Sequence, residues 1–146
     1  MTPDDPHDLH RFVAAQEGSY DEVLAELRRG RKRSHWMWFT FPQVRGLGSS
    51  PTAVHYGIAS RAEATAYVAH PVLGARLLEC AGLVDAIRDA SAREVFGTPD
   101  DLKLKSSMTL FALATGDDPA FVAVLDRFYA GDRDERTVRI WEAFPD

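Results

Sequence analysis

The chain has 146 residues, of which 45% are apolar and 27% charged, and a formal net charge of −5. That is the size and composition of one globular domain with its own core, and it excludes a disordered, collagen-like or disulfide-stapled chain. No apolar run approaches the roughly 20 residues that span a bilayer, no basic-then-apolar leader opens the sequence, and the single Cys80 cannot pair internally. A monomer in the cytoplasm is expected, without membrane contact.

Helix start and stop signals then recur along the chain. Residues 1–7 are polar and rich in proline, the composition of a frayed end. From residue 8 onward one helical domain is expected. Asp8 is placed to cap a first helix with Leu9, Phe12 and Val13 on its inner face and Gly18 as its stop. Ser19 and Glu22 have the spacing of a capping box. The helix that follows carries Tyr20, Val23, Leu24 and Leu27 on one stripe and ends at Gly30.

Trp36–Phe41 is apolar on both faces and reads as a short buried helix closed by Pro42. Ser50-Pro51 opens a short helix that ends near Gly57, because proline at the first helical position loses no needed donor. Ser60 and Glu63 open another through Tyr67. His70-Pro71 begins the longest, running to about Ala90 with Cys80 on its apolar face.

Ser91 and Glu94 form a third capping box, with Gly97 as the stop. Thr98-Pro99 opens a helix whose first-turn acids, Asp100 and Asp101, suit the helix dipole. Asp118-Pro119 opens another, through Phe121, Val122, Leu125 and Phe128 to Gly131. A last helix carries Val138 and Trp141. Strand-like alternation is nearly absent, so the fold class is all-α: a compact single domain, residues 8–146, of about seven to nine short helices.

Two stretches carry a resemblance. One is Gly30-Arg31-Lys32-Arg33-Ser34-His35-Trp36-Met37-Trp38-Phe39 with Phe41-Pro42-Gln43 and Gly46-Leu47-Gly48-Ser49-Ser50. The other is Phe96-Gly97 with Asp100, Asp101, Lys103, Leu104 and Ser106-Ser107-Met108-Thr109-Leu110-Phe111. Tyr56-Gly57-Ile58 and His70-Pro71-Val72-Leu73-Gly74 lie between them. In motif order the chain resembles the bacterial domain-of-unknown-function family 1810, from about Leu9 to Ile140. The resemblance implies a compact, mostly helical domain and implies no activity.

Chemistry-bearing residues concentrate in three places. Arg28, Arg29, Arg31, Lys32 and Arg33 precede His35, Trp36 and Trp38. Guanidinium forks grip phosphate and indoles stack on flat rings, so Arg31, Arg33, Trp36, Trp38 and Gln43 are candidate ligand contacts. The same pattern also describes a solvated basic helix end followed by core tryptophans. His35 is either a general base near neutral pH or a histidine bonded to backbone.

Gly48 and Ser49, in the glycine-serine loop, have the ingredients of an anion cradle or of a plain tight connection. Asp100, Lys103 and Ser107 share a helix face. That face holds either a Lys-activated hydroxyl or an ion pair beside small packing residues. His35, Lys103 and Ser107 are therefore the catalytic candidates. No metal-binding spacing and no cofactor motif is present.

The leading functional expectation is a site for a small phosphorylated or nucleotide-like ligand, bound or acted upon, formed where these three stretches meet. The alternatives are a nucleic-acid-binding module, against which 22 acidic residues outnumbering 17 basic ones weigh, and a ligand-free protein-interaction domain that exposes an apolar patch.

Overall fold

A computed structural model describes residues 5–146 of the protein. Ten helices follow one another within them: α1 (His10–Glu17), α2 (Tyr20–Arg29), α3 (Met37–Thr40), α4 (Pro51–His55), α5 (Arg61–Ala69), α6 (Leu73–Asp85), α7 (Ala92–Phe96), α8 (Asp100–Thr115), α9 (Pro119–Tyr129) and α10 (Glu135–Ala143). The class is all-α, and no strand forms among the described residues. Val44 and Ile58 make one isolated parallel bridge, in which the N–H groups of Arg45 and Ile58 donate to the carbonyls of Ile58 and Gln43, each at 2.9 Å. The helices number ten rather than seven to nine, and the two short helices expected at Trp36–Phe41 and after Ser50 are present as the four- and five-residue α3 and α4.

Most caps follow from local chemistry. Ser50, Ser60, Ser91 and Asp118 each accept a backbone N–H of the first turn, and Ser91 with Glu94 completes both bonds of a capping box. Three sites depart from expectation. Asp8 does not cap α1; it sits at φ 51°, and the Asp5 carboxylate accepts from the N–H groups of Leu9 (2.7 Å) and His10 (3.0 Å) instead. Of the segment expected to fray, residues 1–4 lie outside the described residues. The Ser19 hydroxyl donates back to the Ala15 carbonyl at 3.2 Å, so α2 starts without a side-chain cap. Glu63 turns from its own helix end to the N–H of Ala59 (2.8 Å) and to Arg11 (2.6 Å).

The helix expected from His70 to about Ala90 is shorter at both ends. The Nδ1 of His70 accepts from the N–H groups of Val72 (3.1 Å) and Leu73 (3.2 Å), so regular winding begins at Leu73. At the other end the Ile87 N–H reaches only to the Val84 carbonyl, and Asp89 turns left-handed at φ 63°. Cys80 is fully buried, and burial pushes its thiol up to about 12.

The longest helix is instead α8, with 16 residues. Ser106 to Ala112 are buried without interruption, so every face of α8 is covered over two turns, by α5, α7, α9 and α10. Two of its buried hydroxyls bond inside the helix, Ser106 to the Leu102 carbonyl and Thr109 to the Lys105 carbonyl, which lets neighbours pack closely. Aromatic contacts run through the core from Phe12 to Tyr67 (5.1 Å), Phe111 (5.3 Å) and Phe121 (5.8 Å), joining α1, α5, α8 and α9.

Two glycines of α6 give opposite predictions. A Cβ on Gly74 would lie 2.0 Å from the Val68 carbonyl oxygen, whereas one on Gly82 meets nothing within 4 Å. Gly74→Ala is expected to destabilise by about 3 kcal/mol, because two backbones must separate. Gly82→Ala, at a solvent-facing helical position, is expected to stabilise by about 0.5–1 kcal/mol. Thermal or urea unfolding of the two variants checks both signs.

Candidate functional site

The basic run is sorted by one carboxylate. Glu26, on the buried side of α2, accepts from the N–H groups of Arg33 (2.6 Å) and Ser34 (3.0 Å), the Ser34 hydroxyl (2.6 Å) and the Trp36 indole N–H (3.0 Å). Burial works to raise its pKa, but the Ser34, Arg33 and Trp36 donors outweigh that and hold it at about 2. The segment after α2 is thereby pulled onto the protein as irregular chain, and the exposure of its side chains alternates. Lys32 turns inward, donating to the Ser34 carbonyl and pairing with Asp100 at 2.9 Å. Arg31, Arg33 and His35 are left exposed, and Trp36 is sealed in the core.

Asp100 carries the connection onward. One of its oxygens binds Lys32 and the other lies 3.3 Å from the Lys103 ammonium. That ammonium sits 3.9 Å over the Trp38 ring. One carboxylate thus serves two ammonium groups, and an excess positive charge stands beside the indole.

Trp38 and Lys103 border a cleft of about 370 Å³, together with Gln43, Leu47, Gly48, Pro99, Leu102, Lys105, Ser106, Asp134 and Arg136. Gly48 lets its loop close on α4, since a Cβ there would lie 3.1 Å from that of Ala53. Arg136 donates to the Leu47 carbonyl at 3.4 Å. The one carboxylate of the lining, Asp134, is committed to starting α10: it accepts from the Thr137 N–H (3.0 Å) and hydroxyl (2.6 Å). The lining thus sets three cations, Lys103 (shared with Asp100), Lys105 and Arg136, against the single carboxylate of Asp134. Leu102, 58% exposed, is the most exposed of the large apolar side chains among the described residues.

Of the residues singled out in the sequence, the fold brings Trp38, Gln43, Gly48 and Lys103 together here. Arg31, Arg33, His35, Trp36, Ser49 and Ser107 do not line the cleft. The first three are turned outward by the anchoring at Glu26. Trp36 spends its indole N–H on that carboxylate. Ser49, next to Gly48 in the same loop, is exposed. Ser107 is fully buried, its hydroxyl without a partner among the described residues. A Lys-activated hydroxyl has no route to solvent there.

Sequence reasoning missed Leu102, Lys105, Asp134 and Arg136. Neither their types nor their spacing marks them; only the contact of α10 with α8 gathers them. Among the described residues no cluster of His, Cys, Asp or Glu could hold a metal ion, and no helix is long and apolar enough to cross a membrane.

The family described as "Protein of unknown function (DUF1810)" matches residues 6–141. The crystal structure of the conserved hypothetical protein Rv1873 from Mycobacterium tuberculosis is similar over 95% of this chain and 99% of its own, with 59% identity and a TM-score of 0.94. Among curated proteins none matches.

Glu26 gives an acid-stability prediction. Its pKa is lowered on folding from the ordinary 4.5 to about 2, so its contribution is complete above the unfolded value and is lost as pH falls from 4.5 towards 2. Glu26→Gln is expected to cost about 2 kcal/mol at neutral pH, the range for hydrogen bonds to a charged group. The variant should also show a flatter loss of stability in acid than the natural protein. Urea midpoints measured across the acid range check both.

Proposed function

From the premise that the chain belongs to the DUF1810 family, whose description assigns no activity, we propose that it binds a small phosphorylated or nucleotide-like molecule in the Trp38–Lys103 cleft. The observation that carries this reading is the convergence of one half-buried indole, one amide side chain, a glycine loop and three cations around a single recess. Guanidinium and ammonium groups offer donors to phosphate oxygens. Trp38, Leu47, Pro99 and Leu102 supply apolar walls for a flat or hydrophobic moiety, and Gln43 can pair with the edge of a base or amide.

Binding is favoured over nucleophilic catalysis because neither His35 nor Ser107 reaches the recess. The protein-interaction alternative draws less support. The other large exposed apolar residues are Val54, in α4, and Val72 and Leu78, six residues apart at the start of and within α6 and so not on one helix face.

The test is thermal shift against nucleoside mono- and diphosphates, ADP-ribose and their unphosphorylated counterparts. A ligand at about 100 times its Kd adds about 2.7 kcal/mol to folding stability, a rise of roughly 5–10 °C in Tm. Lys103→Gln and Arg136→Ala are each expected to weaken binding about tenfold, or about 1.4 kcal/mol. If phosphorylated compounds give no shift, or the two variants bind as tightly as the natural protein, the cleft is not such a site.

A further inference from the structure

A second recess, sharing no lining residue with the cleft, is bordered by the arginines at the end of α2 and after α6. The left-handed Gly30 ends α2 at φ 72°, and a Cβ on it would lie 3.7 Å from the Ile87 side chain, so the end of α2 rests on the turn that follows α6. Between them lies a recess of about 440 Å³ bordered by Arg28, Arg29 and Arg88, with Leu27, Leu83 and Ile87 also lining it and no carboxylate in the lining. The chain then continues beside α7, where the Lys32 N–H donates to the Val95 carbonyl at 2.8 Å. Lys32 points inward, and Arg31 and Arg33, which follow Gly30 of the recess directly in the chain, are exposed.

The nearby acids keep their negative charge, but none of them lines the recess. Glu26 is saturated with donors. Glu22 accepts from Ser34, Asp85 pairs with Arg127 at 2.9 Å, and Glu94 completes the α7 capping box. Asp89 is exposed but does not line the recess.

We propose that this face, Arg28, Arg29, Arg31, Arg33 and Arg88, binds the phosphodiester backbone of a nucleic acid. Each guanidinium presents a fork matched to phosphate oxygens, and with Arg31 and Arg33 exposed on the chain just beyond the recess the arginines outnumber what a single phosphate can engage, as a polyanion requires. The net charge of −5 does not oppose this at contact, because charges beyond a Debye length of about 8–10 Å are screened. The face carries no aromatic platform, so it reads backbone rather than base. It also lacks an apolar wedge for a bilayer: none of the exposed large hydrophobics, Val54, Val72, Leu78 and Leu102, lines the recess.

The experiment is fluorescence anisotropy with a labelled single-stranded oligonucleotide, alongside sedimentation with phosphatidylcholine–phosphatidylserine vesicles. The natural protein should bind the oligonucleotide at about 50 mM salt and lose roughly 100-fold in affinity by about 200 mM, as five phosphate contacts require. The triple variant Arg28→Gln, Arg29→Gln, Arg88→Gln should lose at least about tenfold at low salt and show a salt slope shallower by about 2. Its Tm, compared with that of the natural protein, shows whether it folds. The single variant Lys103→Gln, in the cleft, should bind the oligonucleotide unchanged. No oligonucleotide binding at low salt, equal binding by the folded triple variant, or capture by vesicles without oligonucleotide binding would each overturn the proposal.

Discussion

The need to cover α8 on every side organises the molecule. A helix buried around its whole circumference for two turns cannot rest on one partner. It needs α5, α7, α9 and α10 at once, and their packing leaves only its two ends near solvent. At its first turns the helix stops being apolar: Asp100, Lys103 and Lys105 lie where the enclosing helices part. The cleft is thus the opening left where a fully enclosed helix emerges. Its walls are the neighbours that could not close over charged side chains.

A second constraint acts from the other end of the chain. Glu26 is buried, and a buried carboxylate is tolerable only when its oxygens are filled with donors. The donors come from Arg33, Ser34 and Trp36, so burying one acid dictates the path of the segment after α2. That path sends Lys32 inward to Asp100 and leaves Arg31 and Arg33 outside. Lys32 shares Asp100 with Lys103, and Lys103 covers Trp38. A line of polar contacts therefore joins the buried acid of α2 to the rim of the cleft on α8. It separates the basic run into an internal charge that helps place the cleft and an external row that does not.

The N-terminal part is fastened in a similar way. Arg11 and Glu63 meet at 2.6 Å with both side chains nearly buried, and Arg11 also donates to the carbonyls of His7, Asp8 and His55. Gln16 ties α1 to α3 through the Phe39 carbonyl at 2.7 Å. The Arg11 bonds satisfy the buried ions, and the Gln16 bond holds α3, and with it Trp38, against α1. Trp38 is therefore positioned by residues that belong to neither the cleft nor its lining.

Local chemistry was enough to read the helical class, most of the helix starts and the family resemblance. Ser50, Ser91 and Asp118 cap through atoms at most three residues away, and such short-range bonds are written in the residue order. The caps misread at Asp8, Ser19 and Glu63 are those where a better partner, such as Asp5 for the α1 amides or Arg11 for Glu63, outcompeted the local one. The candidate site divides in the same way. Trp38, Gln43, Gly48 and Lys103 stood out by residue type. Lys105, Asp134 and Arg136 did not, because their part in the cleft comes from α10 packing on α8. Whether a given arginine, tryptophan or serine faces ligand, core or water was decided only by tertiary structure, since burial depends on what the distant chain brings against each side chain.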